Sequence, residues 1–205
     1  MNTDIVIIEK PDWVSWDDIH EVIWKAHGEN RKNGILLATP YLSGEDLKQK
    51  IEGRGLLLVA LIQKKVVATA AIIKVNESLW CWNGDYAYMG FASVLPEYKG
   101  TGIYKALCLR REKEAKKRGL CHLLFNTHSK NSEVIAYGKK HGYRCVDVIQ
   151  YDDHYNVKMI KWLNDCPYPD WYCEFQFKIH FLYRTIEYRL VKVYHYICRW
   201  NKTQI

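Results

Sequence analysis

The stretch VLPEYKGTGIYKAL, Val94 to Leu107, decides the reading of this 205-residue chain. It starts at the end of an apolar, strand-like run, Tyr86 to Val94, closed by Pro96. It ends in helix-forming sequence that begins near Ile103, continues to Arg118 and stops at Gly119. Between the two, Gly100 and Gly102 mark a turn where successive backbone N–H groups can point outward with no Cβ in the way, directly before a helix N-terminus. That geometry suits an anion such as a pyrophosphate. Taken alone, a G-x-G after a strand fits a plain structural turn equally well.

Working outward from the loop, the chain alternates short elements. Asp4 to Lys10 reads as a strand, and Ser15 with Asp18 as a capping-box start for a helix with apolar face Trp16, Ile19, Ile23 and Ala26, ending near His27-Gly28. Ser43 with Asp46 opens a second helix to about Glu52. Leu56 to Ile62 and Val66 to Val75 form a hairpin buried on both faces, and Asn83-Gly84 leads into the Tyr86 strand. In the helix from Ile103, Leu107 and Ala115 point inward and the basic residues outward. Beyond it come a strand at Leu120 to Thr127, a helix at Ser132 to His141 stopped by Gly142, and strands at Arg144 to Tyr155 and Val157 to Leu163. This order predicts an α+β domain over residues 1-165. Asp170 then caps a long helix over 170-205, in which Phe175, Ile179, Leu182, Ile186, Leu190, Val193 and Ile197 recur at three- and four-residue steps.

The segment around Gly102 resembles motif A of the GNAT superfamily, Q/R-x-x-G-x-G/A, with Lys99 in the Gln/Arg place, Gly102 as the central glycine and Tyr104 in the last Gly/Ala place. Thirty residues on, NSEVIAYGKKHGY, Asn131 to Tyr143, resembles motif B, N-x-x-A-x-x-x-Y-x-x-x-G-F. The resemblance covers roughly Ile5 to Trp162. It implies a mixed, mostly antiparallel six- to seven-stranded sheet flanked by helices, with the last helix as a C-terminal extension. It also implies acetyl-CoA as co-substrate, its pyrophosphate held by Lys99, Gly100, Thr101, Gly102, Ile103 and Tyr104, its pantetheine arm paired with backbone at Ala92 to Val94, and Asn131 on the other side. A primary amine of a small acceptor would then attack the thioester directly, with a strand amide such as that of Val94 as oxyanion donor.

Two departures from the family pattern bear on chemistry. Tyr104 replaces a small residue, so its side chain must turn away from the phosphates. The motif B tyrosine, general acid for the thiolate, falls on Gly138; Tyr137 precedes it, about 100° away on a helix, and is the substitute acid. For the base, Asp85 heads the third strand, although a turn residue beside Gly84 is the blander reading; His20, His27, His128 and the Asp152-Asp153-His154 run are further candidates. Trp80, Trp82, Tyr86 and Tyr88 are dense enough to wall an acceptor pocket and suggest an amino sugar, though packing explains them as well.

Composition frames these expectations. Seven scattered cysteines without C-x-x-C argue against a disulfide framework and a zinc site, and read as reduced, mostly buried thiols; no metal is expected. No basic-then-apolar leader opens the chain and the longest apolar run, Leu56 to Ile62, is too short to span a bilayer, so a cytoplasmic protein is expected. The net charge of +7 is concentrated in residues 171-205, which carry six Lys or Arg against two Glu, together with ten aromatics. That tail reads as packing on its own domain or on a partner subunit in a homodimer, or as peripheral membrane contact with anionic lipid; no nucleic-acid partner is expected. A rival to the enzyme is a non-catalytic CoA-binding module of the same fold, attached to a membrane or a partner through the basic helix.

Overall fold

The computed structural model describes residues 5–35 and 37–203, with side chains to residue 195. Strand β1 (Val6–Glu9) is followed by helix α1 (Trp16–Ala26), short helix α2 (Gly28–Lys32) and helix α3 (Gly44–Ile51). Then come β2 (Gly55–Ile62), β3 (Lys65–Leu79), β4 (Trp82–Tyr88), β5 (Ser93–Val94), helix α4 (Ile103–Lys117), β6 (His122–His128), helix α5 (Ser132–Lys140), β7 (Arg144–Gln150), β8 (Tyr155–Trp162) and helix α6 (Asp170–Thr203). The two serine starts hold as capping boxes. Ser15 Oγ accepts from Asp18 N at 3.0 Å while Asp18 accepts from Ser15 N at 3.1 Å, and Ser43 and Asp46 repeat the exchange. Behind the first, Ile19, Val22, Ile23 and Ala26 bury α1 on the sheet.

The strands form one mixed sheet in the order β1-β2-β3-β4-β6-β8-β7, antiparallel everywhere except between β4 and β6. The expected strand Tyr86 to Val94 is interrupted. Ile73 pairs with Tyr88 and Thr69 with Ser93, so a step of four residues on β3 faces a step of five on its partner. The extra residue makes a bulge. Ala71 N donates to Gly90 O at 2.8 Å, Thr69 Oγ1 donates to Phe91 O at 2.8 Å, and Phe91 takes φ +51°.

Strand β3 runs to Leu79, four residues beyond its expected end, the hairpin turns at Trp80-Cys81, and Asn83-Gly84 lies inside β4. Packing overrides the turn chemistry here: Trp80 Nε1 donates to Val146 O at 2.7 Å and its ring lies against Tyr168, Tyr172 and His180. The run expected as one strand to Tyr155 ends at Gln150, because residues 151–154 form the turn into β8. Asp4, at the head of the first expected strand, and Ile197 of the tail lie outside the residues with described side chains. The cysteines are less buried than expected. Among the described cysteines Cys81 and Cys173 are buried, Cys108, Cys145 and Cys166 half-buried, Cys121 exposed, and all six are unpaired, while Cys198 lies outside the residues with described side chains.

Helix α6 has two faces. Toward β7 and the β7–β8 turn it sends Arg184 to Asp147, Thr185 to Gln150 at 2.8 Å, Phe181 edge-on to Tyr155 with centroids 5.1 Å apart, and Tyr188 and Lys192 to Asp152. On the opposite side Trp171, Phe175, Ile179, Leu182, Ile186, Leu190 and Val193 all remain exposed. At 100° per residue these seven fall on one stripe, with repeating steps of four, four and three that follow the helix axis. The helix therefore docks through its inner face alone. Phe181→Ala should cost about 1–3 kcal/mol in chemical denaturation, whereas Leu182→Ala should stay within about 0.5 kcal/mol of the wild type.

Candidate functional site

Strands β4 and β6 pair only at Ala87–Leu123 and Tyr88–Leu124, with Met89 N donating to Leu124 O at 2.7 Å. Beyond that point β6 continues alongside β8 as far as His128, and β5 continues alongside β3. The sheet is thus split by a cleft lined by Gly90, Phe91 and Ala92 on one bank and Phe125, Asn126 and Thr127 on the other. Leu95 N donates to Val67 O at 2.9 Å, so by strand alternation the amides of Ala92 and Val94 face away from β3, toward the cleft.

At the mouth of this split stands the N-terminus of α4. Its first intrahelical bond runs from Ala106 N to Gly102 O at 3.0 Å, which leaves the amides of Ile103, Tyr104 and Lys105 without a partner in the helix. No side chain caps them, since Gly102 is the N-cap and Thr101 Oγ1 donates backward to Tyr98 O at 2.7 Å. Gly100 and Gly102 have φ of +78° and +86°, and a Cβ added at either would meet nothing within 4 Å. The glycines serve the backbone conformation and leave open space above the amides. Lys99 reaches Glu29 at 3.2 Å in an exposed pair, so its ammonium can turn to an incoming phosphate at little cost.

The second wall is α5. Asn131 is its N-cap, makes no side-chain cap bond and lines the cleft beside Val134 and Tyr137. Tyr104 points into the space between α4 and α5, where its ring meets Tyr137 edge-on with centroids 5.0 Å apart. Its side chain is therefore directed away from the Gly100–Gly102 turn. Burial pushes the Tyr104 phenol up to about 12 and raises that of Tyr137 as well, so both are neutral hydroxyls at physiological pH. The Tyr137 hydroxyl is buried without a hydrogen-bond partner.

The sequence profile described as Acetyltransferase (GNAT) family matches residues 16–143, well over half of the chain. This chain belongs to the GNAT family of acetyltransferases. No curated protein sequence matches it. Solved structures share its fold at low identity. The ribosomal-protein-S18-alanine N-acetyltransferase of Escherichia coli superposes with a TM-score of 0.61 at 17% identity, over 79% of this chain and 96% of its own. The PaiA N-acetyltransferase of Thermoplasma acidophilum, solved with coenzyme A, gives 0.61 at 21% identity over 78% and 99%. A GNAT-family acetyltransferase of Staphylococcus aureus gives 0.62 at 16% identity over 78% and 100%.

Other candidates fall outside this GNAT cleft. Asp85 is half-buried on β4, bound to Lys74 at 2.6 Å and Asn76 at 3.2 Å, beside Arg54 and Arg118 rather than the cleft residues. On the strand it is paired with Asn76 of β3, apart from the cleft lining. His20 bonds Pro40 O at 3.2 Å. His128 stacks on His154 at 4.2 Å, with its Nδ1 accepting from Lys130 N, and Asp153 holds His154. Trp82 stacks on His122 at 3.9 Å, and with Trp80 it packs the far end of the β3–β4 hairpin. Tyr86 is buried against Glu77. Of the four aromatics only Tyr88 lines the cleft, where it donates to Asn126 Oδ1 at 2.8 Å.

His27 does reach the cleft. Its Nδ1 accepts from Asn30 Nδ2 at 3.0 Å, which leaves Nε2–H to donate to Ser93 Oγ at 3.1 Å and ties the end of α1 to β5. Both nitrogens are engaged, so His27 acts here as a strut. The burial of Arg111 and the packing role of Gly138 escaped the sequence reading. Arg111, counted there among the outward basic residues of α4, is 3% exposed and lines the cleft floor. Gly138 is pressed on the sheet, where an added Cβ would lie 3.0 Å from both Met159 and Phe125; α5 settles there with Tyr137, the next residue back, on the cleft.

Two tests follow from this packing. Gly138→Ala should stay within about 1 kcal/mol of the wild type, the helix propensity gained offsetting the contact with Met159 and Phe125, and Gly138→Tyr should cost substantially more, read by thermal unfolding, because a large group would lift α5 off the sheet. Burial, then the charges of Arg31 and Lys99, push the His27 imidazole down to about 4. The unfolded chain takes up that proton near 6.5, so stability is full above pH 6.5 and declines as the pH falls toward 4. The wild type should lose about 2–3 kcal/mol more than His27→Gln across that window, measured by urea unfolding at each pH.

Proposed function

We propose that this chain transfers an acetyl group from acetyl-CoA directly to a primary amine of a small acceptor. The observation that carries the reading is the split sheet with an uncapped, glycine-led helix N-terminus at its mouth. The partnerless amides of Ile103, Tyr104 and Lys105 and the Lys99 ammonium would hold the pyrophosphate. The outward amides of Ala92 and Val94 would pair with the amide-bearing arm, and Asn131 would close on it from α5. When bound, the thioester supplies an acyl carbon activated for attack by nitrogen.

The protein's own part is positioning and charge. The Val94 N–H, held by the pairing of β5 with β3, would donate to the oxygen on which charge develops. The Tyr137 hydroxyl, kept protonated by burial, would give a proton to the departing thiolate. A thiol leaves readily on its own, so this proton adds a modest factor. Among the described residues the cleft lining contains no Asp or Glu. The acceptor would therefore enter as the neutral amine and shed its proton to water at the open mouth. The ribosomal-protein-S18-alanine N-acetyltransferase among the structural neighbours is an enzyme that acylates an amine, which agrees with this class of acceptor. The lack of a carboxylate base also favours one rival, a non-catalytic CoA-binding module.

Calorimetric titration with acetyl-CoA should give micromolar binding to the wild type and at least about tenfold weaker binding to Gly102→Val, whose β-branched residue resists positive φ. Absence of binding in both would sink the donor site. Thiol release that depends on added amine separates enzyme from module, and Tyr137→Phe should lower kcat by about tenfold with KM unchanged.

A further inference from the structure

We infer that the floor of the cleft, between α4 and α5, recognises a carboxylate on one of the two substrates through Arg111. This inference rests on the cleft being the donor site and adds the charge class of what enters it. Ile103, Leu107, Arg111 and Ala115 recur every four residues as the buried stripe of α4, and a cation occupies one of those four places. Arg111 is 3% exposed, and its Nε and Nη1 have no partner. Its one hydrogen bond runs from Nη2 to Cys108 Sγ at 3.3 Å, a weak acceptor. A guanidinium taken out of water costs several kcal/mol unless a charge and hydrogen bonds answer it.

Nothing in the described cleft lining answers it. That lining holds no Asp or Glu, and the groups around Arg111 are the phenols of Tyr104 and Tyr143 and the Cys108 thiol. A second orphan lies on the same cavity, the buried hydroxyl of Tyr137. A planar, forked cation and a phenol O–H together match the two oxygens of a carboxylate. The phosphates of the donor are not the answer. Arg111 is nine residues past Gly102, about 13 Å down the axis of α4 from the amides that suit a pyrophosphate. Two sources could present the carboxylate: the acyl group of the donor, as the monothioester of a dicarboxylic acid, or the acceptor, as an amino acid.

The test is calorimetry on the wild type and Arg111→Met with two matched pairs of probes. Succinyl-CoA against acetyl-CoA reports the donor source, and glutamate against its diamide, glutaminamide, each added to the CoA complex, reports the acceptor source. The expected result is at least tenfold tighter binding of the carboxylate member of one pair to the wild type, lost in Arg111→Met while acetyl-CoA still binds. Arg111→Met should fold, since replacing an unanswered buried charge by an apolar chain of similar length is neutral or stabilising. Arg111→Lys keeps the charge without the fork and should retain only part of the preference. Equal affinities within both pairs, with acetyl-CoA bound, overturn the inference. So does a thermal midpoint lowered by more than about 10 °C in Arg111→Met, which would make Arg111 a structural cation. No acetyl-CoA binding to either protein would instead overturn the donor site itself, and the inference with it.

Discussion

The bulge between Tyr88 and Ser93 forces two neighbouring strands apart, and everything else at the site depends on that separation. While β4 pairs with β3 in register, it can also pair with β6; after the extra residue the chain remains with β3 and β6 remains with β8. The result is two strand edges facing one another inside the domain. Unpaired backbone groups in such a place are costly unless something supplies partners. The bulge is in turn fixed by bonds from Ala71 and Thr69 of β3, a strand buried along most of its length, so the opening is built into the core and does not depend on a mobile loop.

The same principle of withheld partners appears in the helices. Where α1 and α3 only pack, each begins with a serine and an aspartate that satisfy the first amides. Where α4 meets the cleft, a glycine replaces the serine and the amides remain bare. The positive end of the helix dipole, Lys99 and Arg111 then all act on a cavity whose described lining has no carboxylate. Such a cavity is costly to maintain while empty, and that cost becomes selectivity for ligands that bring negative charge.

How much of this was visible in the sequence follows the range of the interaction involved. The capping boxes, the Pro96 stop and the Gly100–Gly102 turn are written within four residues of one another, and each is found where those residues placed it. The hairpin end was misplaced because Asn83-Gly84 is a strong local turn signal, but Trp80 is held by Val146 of β7, sixty-six residues away. Asp85 illustrates the same limit: only the β3 register shows that Lys74 and Asn76 claim it. Arg111 was legible in principle, since it continues the four-residue spacing of Ile103 and Leu107. Treating every basic residue on α4 as solvent-facing hid the one that is not.

The exchange of glycine and tyrosine at positions 138 and 137 shows why a motif transfers chemistry less faithfully than it transfers fold. A motif assigns roles by position, whereas a proton moves according to where a hydroxyl lies. Gly138 has no side chain, so α5 approaches Met159 and Phe125 more closely than a helix with a Cβ there could. Consecutive residues on a helix point about 100° apart, so with Gly138 on the sheet Tyr137 is the one that meets Tyr104 and the cleft. Tyr137 is also stacked on His141 with centroids 3.9 Å apart, which fixes the ring while its hydroxyl stays unbonded. A fixed ring with a free O–H is what the proposed proton donor requires, so under that proposal loss of the motif tyrosine at 138 does not remove the acid from the site. In that proposal the acid moves by one residue, and the helix is left with no room for a large side chain where it touches Met159 and Phe125.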